Sequence, residues 1–301
     1  MKTRGFLFAT VTILIWGVTF VNTRALLADF NSFEILFVRF AAAYAALWAI
    51  APRRLKLSGF REEALFAAMG LTGVAAYQFL ENCAISYTNA SNVAILVSTC
   101  PMGTALLSAL LLREKTLSRR FCLGFVLAMA GVCCVCAGGI RAFHFNPLGD
   151  LLAVCAMASW SVYSILITRA NAGGYEPILA IRHTFFWALV LMVPFLPIGF
   201  DFTPATNAAR FASGGNLFHL GFLGFLASAL AFVLWNKTCK LLGTVTATCG
   251  LYLIPVVTAV VAALTLGETM TTLTAFGAVL TIGGVVISGL EPRTAQKAHA
   301  A

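Results

Sequence analysis

Ten runs of roughly twenty apolar residues fill this chain, each long enough to cross a bilayer as a helix. Short clusters of Lys and Arg, and turns rich in Gly, Pro and Asn, separate them. The runs cover residues 5–27, 32–50, 63–83, 88–111, 119–138, 148–168, 177–198, 216–236, 244–266 and 272–290. Hydrocarbon offers no partner to backbone N–H and C=O groups, so runs of this length must satisfy them internally as helices. Only 10% of the 301 residues are charged and 60% are hydrophobic. A soluble domain carries about 25% charged residues. Too few charges remain to coat a water-exposed surface of this size, so the expected fold is an all-α integral membrane protein. The first run follows MKTR and imitates a signal peptide. It exceeds the usual signal core of roughly 7–15 residues and has a counterpart later in the chain, so it reads as a retained helix. The longest connection, 199–215, reads as irregular.

The net charge of +9 raises nucleic acid as a partner, but the distribution argues against it. With the first residue on the cytoplasmic side, Arg141 and Arg210 fall outside and Arg24, Arg39 and Arg182 lie at membrane depth. The other fifteen of the 20 Lys and Arg residues fall inside. Cytoplasmic loops carry that excess. Both termini are therefore expected in the cytoplasm, and the short loops suit a cell inner membrane. Cys133, Cys134 and Cys136 imitate a metal cluster, yet on a helix they point to different sides with no His or carboxylate near in sequence. No metal site and no cofactor are expected.

The chain repeats itself. STCPMGTALLSALLLREKT (98–116) matches YLIPVVTAVVAALTLGETM (252–270), pairing Pro101 with Pro255 and Glu114 with Glu268. The run from Gly124 matches the run from Gly277, Gly70 pairs with Gly224, and Asn82 with Asn236. Trp16 pairs with Trp160, and Arg39 with Arg182. Residues 1–140 thus form one five-helix repeat and 148–290 a second, followed by a tail at 291–301. An odd number of helices per repeat inverts the second copy in the membrane. Inverted repeats mark secondary transporters, with the substrate site near the midplane between the halves.

At WGVTF in the first helix, VRF in the second, YTNASNVAIL before Pro101, Glu114 with Gly124 and Gly131, and the second copy ending in Pro255 and LGE, the sequence resembles the drug/metabolite transporter superfamily in its EamA-like branch. The resemblance spans almost the whole chain. It implies ten helices in two EamA-type halves and transport of small metabolites, often export. It does not imply a substrate.

Polar residues at depth are the candidates for chemistry. Gly70, Gly73, Tyr77 and Glu81 form one stripe of the third helix. Thr12, Trp16, Thr19 and Thr23 form another on the first. Asn92 and Thr99 share a face of the fourth, Trp160, Tyr163 and Ser164 lie on the sixth, and Thr248 and Tyr252 on the ninth. Lining a cavity and close helix packing both fit these stripes. Glu81 is the acidic residue deepest in an apolar run, apart from boundary cases such as Glu34 and Asp150. It can carry a proton, bind a substrate amine, or stand in a static pair with Arg39 or Arg24. Arg39 and Arg182 read as gates or as snorkelling anchors, and a single His183 reads as structural. Pro101 and Pro255 kink their helices, for rocking or for packing. Glu114 and Glu268 read as structural helix ends.

The expected function is a secondary-active exporter of small metabolites such as amino acids, working by alternating access coupled to protons or to exchange. Its expected partners are a small-molecule substrate, the bilayer and protons. A broad-specificity drug or metabolite permease is the alternative. A membrane-embedded enzyme lacks support in HExxH, GxSxG or a His-rich cluster, and no Walker sequence is present.

Overall fold

The computed structural model describes residues 2–88, 90–138, 146–266 and 270–289. Among these, ten helices are long and apolar enough to span a membrane. They are α1 (Lys2–Leu26), α2 (Ser32–Ile50), α3 (Phe60–Tyr87), α4 (Asn92–Leu112), α5 (Arg119–Ala137), α6 (Pro147–Ala172), α7 (Pro177–Gly199), α8 (Gly214–Leu242), α9 (Thr244–Thr265) and α10 (Thr272–Gly289). Large apolar side chains such as Leu110, Val126, Phe276 and Val279 are exposed on their outer faces. Such a surface belongs against lipid. The chain is a multi-pass membrane protein of two inverted five-helix repeats. One membrane face, here the basic face, carries Arg4, Arg53, Arg119, Arg169 and Lys240; the other is the far face.

Local sequence sets the helix ends. Asn31 caps α2 by accepting from the Glu34 N–H while Glu34 accepts from the Asn31 N–H, a reciprocal capping box. Asn146 caps α6 through the N–H groups of Leu148 and Gly149, with Pro147 at its first turn. Gly243, at φ 85°, turns α8 directly into α9. The span α8 runs past the expected end to Leu242, because Lys237 and Lys240 tolerate the membrane boundary by extending their stems.

Residues 199–215 are not the irregular loop expected. A short helix, Pro204–Ala212, occupies them. Arg210 holds it down: its Nη2 donates to Glu34 Oε1 at 2.7 Å and its Nη1 to Glu34 Oε2 at 3.0 Å. Asn216 joins Asp29 and the Arg210 carbonyl to the same clasp. Beside it, the Thr203 hydroxyl and N–H donate to Asp201 and hold its carboxyl below the usual range. Arg141 and Glu268 lie outside the described residues.

The two repeats meet along matching glycines. The helices α5 and α10 pack tightly, Gly124 against Gly284 and Gly131 against Gly277. A Cβ on Gly131 would sit 2.6 Å from the Gly277 carbonyl, and one on Gly284 2.6 Å from the Gly124 carbonyl. Gly124 is the repeat partner of Gly277 and Gly131 of Gly284, so the contact maps onto itself under the pseudo-two-fold. The scaffold repeats the pattern: Gly70 on α3 packs against Thr184 and Ala188 of α7, and Gly224 on α8 packs against Ala42 of α2.

Candidate transport site

Trp16 on α1 and Trp160 on α6, equivalent by repeat, meet edge to face at 5.7 Å between ring centroids. Four more rings close around them. Trp235 of α8 lies 5.3 Å from Trp16, and Phe232 of α8 lies 5.5 Å from it. Tyr77 of α3 lies 5.0 Å from Trp160, and Tyr163 of α6 5.2 Å. Edge-to-face and tilted pairs of this kind contribute about 0.5–1.5 kcal/mol each beyond their buried area. The Trp16 indole N–H donates to the Ala227 carbonyl at 3.0 Å, which ties α1 to α8.

Glu81 stands one turn beyond Tyr77 on α3, toward the far face. The Tyr77 hydroxyl donates to Glu81 Oε1 at 3.1 Å. Arg39 of α2 is buried, and its Nε donates to Ser228 Oγ of α8 at 2.9 Å. Arg39 and Glu81 form no direct ion pair among the described residues. A carboxylate and a guanidinium thus flank one end of the aromatic cluster, each positioned by a hydroxyl and neither neutralised by contact with the other.

Equivalent segments of the two halves differ in exposure. Tyr77, Gln78, Glu81 and Asn82 of α3 are half-buried. Their repeat partners on α8, Ala231, Phe232, Trp235 and Asn236, are buried, with Trp235 at 0% and Asn236 at 1% exposure. The amide of Asn236, the indole N–H groups of Trp160 and Trp235, and the Tyr163 hydroxyl find no hydrogen-bond partner among the described residues. Buried polar groups usually have one. Of the two equivalent segments, the one on α3, toward the far face, is thus the less covered, and the one on α8, toward the basic face, packs its rings fully.

The other candidates sit elsewhere. Tyr252 is fully buried in a second core with Phe121 and Ala105. Asn92 is buried where α4 meets α6, and its amide donates to Thr88 Oγ1 at 3.2 Å. The Thr19 hydroxyl donates back to the Trp16 carbonyl of its own helix. Arg182 donates to the carbonyls of Ala51 and Arg53 just beyond α2 and stacks over the Trp48 ring at 4.0 Å. Its donors are committed to anchoring α2 to α7. His183 has a partner that sequence reading did not find: Glu63 on α3, at 2.8 Å, which also accepts from the Trp187 indole at 2.9 Å. Glu114 folds back to accept from Ser108 of α4. Before Pro101, the α4 helix is interrupted by a turn at Ser98 and Thr99. Before Pro255, α9 tightens to a 3₁₀ turn at Gly250–Tyr252. A groove of about 790 Å³ between α1, α8 and α9, lined by Asn22, Phe218 and His219, lies toward the far face and apart from the ring cluster.

Sequence reading missed Trp235, Phe232 and Ser228. The signal was present in the repeat: the offset that pairs Asn82 with Asn236 sets Trp235 opposite Glu81.

Comparison with known proteins agrees with this architecture. A solved crystal structure superposes with a TM-score of 0.76, covering 99% of this chain and all of that one at 20% identity, a likeness of fold. An uncharacterized transporter of Archaeoglobus fulgidus is 28% identical over 96% of this chain and 98% of its own. A probable terminal-alkyne amino-acid exporter of Streptantibioticus cattleyicolor is 27% identical over 92% and 90%. A probable amino-acid metabolite efflux pump of Escherichia coli is 26% identical over 99% of both chains. The model of the EamA-like transporter family matches residues 3–137 and again 147–290. With two such matches covering nearly all of its length, the chain belongs to the EamA-like transporter family.

Proposed function

We propose that the protein is a secondary-active exporter of amino acids and similar small zwitterions, driven by proton exchange. The observation that carries this reading is the Glu81–Tyr77 pair facing Arg39 beside the tryptophan cluster. A guanidinium can hold a substrate carboxylate through two donors, a carboxylate can hold its ammonium, and the rings accept an apolar side chain. A single carboxylate does not bind a proton and an ammonium together. Substrate release therefore lets Glu81 take up a proton, and proton loss readies it for the next substrate, which is antiport. The amino-acid exporter and efflux-pump names of two relatives support the substrate class.

Alternating access follows from the repeats. Exchanging the burial of Tyr77–Asn82 with that of Ala231–Asn236 would close the far side and open the basic side, as rocking of inverted repeats does. The excess of Lys and Arg on the basic face supports a cytoplasmic location for it, with both termini there and the protein in the cell inner membrane.

The test is uptake of a labelled amino-acid panel into proteoliposomes, with and without an acid interior. Protons leaving down their gradient should drive accumulation in the wild type. Glu81→Gln should lose all gradient-driven accumulation and keep solute exchange. Identical behaviour of the two proteins would remove Glu81 from coupling. A panel that never moves would overturn the amino-acid assignment and direct the screen to other small metabolites.

A further inference from the structure

The basic face carries a pocket apart from the tryptophan cluster. Arg4 and Phe8 of α1, and Lys237, Lys240 and Leu241 of α8, line a hollow of about 350 Å³. The Lys237 ammonium lies 5.9 Å from the Phe8 ring centroid. Its floor is tight, since a Cβ on Gly5 would sit 2.8 Å from the Leu242 side chain. No carboxylate lines the hollow, and none of the three cations has an ion-pair partner among the described residues.

Charge placement distinguishes a site from a topology signal. Lysines at the C-terminal end of α8 suit the helix dipole, whereas Arg4, in the first turn of α1, opposes it. That first turn holds no acidic residue to compensate. Three cations, one of them unfavourable without an anion, line one hollow with Phe8 and Leu241, near the N-terminal end of α1 and the C-terminal end of α8.

We propose that this hollow is a binding site for an anionic phospholipid, with Arg4, Lys237 and Lys240 gripping the phosphate and Phe8 and Leu241 flanking the acyl chains. Basic pockets between spanning helices bind such headgroups. The helices it joins are those that carry Trp16 and Trp235, so the bound lipid would staple the α8 side of the transport site.

The experiment is native mass spectrometry of the intact protein in detergent, titrated with phosphatidylglycerol, phosphatidylcholine or inorganic phosphate. Phosphatidylglycerol should be retained, and neither phosphatidylcholine nor phosphate should displace it. At about 1 kcal/mol per cation near a charged surface, Lys237→Gln with Lys240→Gln should weaken retention about thirtyfold. Arg119→Gln with Arg120→Gln removes the same charge from the basic face away from the hollow and should leave retention unchanged. Should the lysine pair fail to fold, Arg4→Gln alone should give a several-fold loss. Equal retention in all variants overturns the site. Equal loss in the control pair overturns it too, as does displacement by inorganic phosphate, which would make the occupant a free anion.

Discussion

Gly131→Val should yield no folded, monodisperse protein. The new Cβ would meet the Gly277 carbonyl at 2.6 Å, with the Thr281 backbone and hydroxyl beside it. These are mostly backbone atoms of a packed helix, so relief requires α5 and α10 to separate along their length. Overpacking a well-filled interior costs about 1–3 kcal/mol, occasionally more. Here the added group meets mainly backbone, which cannot rotate away, and the upper end or beyond is expected. Gly284→Val should behave alike, since its Cβ meets the Gly124 carbonyl. Gly283→Ala supplies the contrast: nothing lies within 4 Å of its Cβ, so it should melt like the wild type. Size-exclusion profiles and thermal melts in detergent decide the matter. If Gly131→Val melts with Gly283→Ala, the seam is not held by backbone contact.

Arg210→Met should be the most damaging change on the far face. It would leave Glu34, at 1% exposure, as a buried charge stripped of its cation. Removing one partner of such a pair costs about 3–5 kcal/mol, mostly through the charge left behind. The same loss frees Pro204–Ala212 and the end of α7, because Arg210 also donates to the Asp29 and Asp201 carbonyls. Glu34→Gln together with Arg210→Met removes both charges and should recover much of the stability. The measurement is a thermal melt of the two variants beside wild type. A single variant within about 1 kcal/mol of wild type would mean the pair behaves as an exposed one.

The ten spans and their inversion were legible because bilayer thickness imposes a length on every helix and an odd number of helices per repeat turns the second copy over. The glycine seam was half legible: matching Gly124 with Gly277 showed equivalence, but only packing shows that Gly124 touches Gly284 instead. Within the site, Trp16, Trp160, Tyr77 and Glu81 stood out by repetition or by polarity. Trp235 did not, since an aromatic residue in an apolar run offers no contrast. Periodicity placed Asn92 and Tyr252 on helix faces without saying which neighbour each face meets, and both meet cores apart from the tryptophans. The carbonyls that hold Arg182, just beyond α2, and the carboxylate that holds His183, on α3, are remote in sequence, where no spacing rule reaches. The Pro204–Ala212 helix was missed, although Thr203 followed by Pro204 is a helix start.

The self-matching contact of α5 and α10 also bears on ancestry. Two separate copies of one half, inserted in opposite orientations, could form the same seam, with Gly124 of each copy meeting Gly131 of the other. In such a pair every substitution arrives twice, and a carboxylate on one third helix is a carboxylate on both. Joining the copies in one chain breaks that constraint. In this chain the two copies are free to differ, so Glu81 stands on one side of the axis and Trp235 in the equivalent place on the other, giving one half the charge and the other the rings.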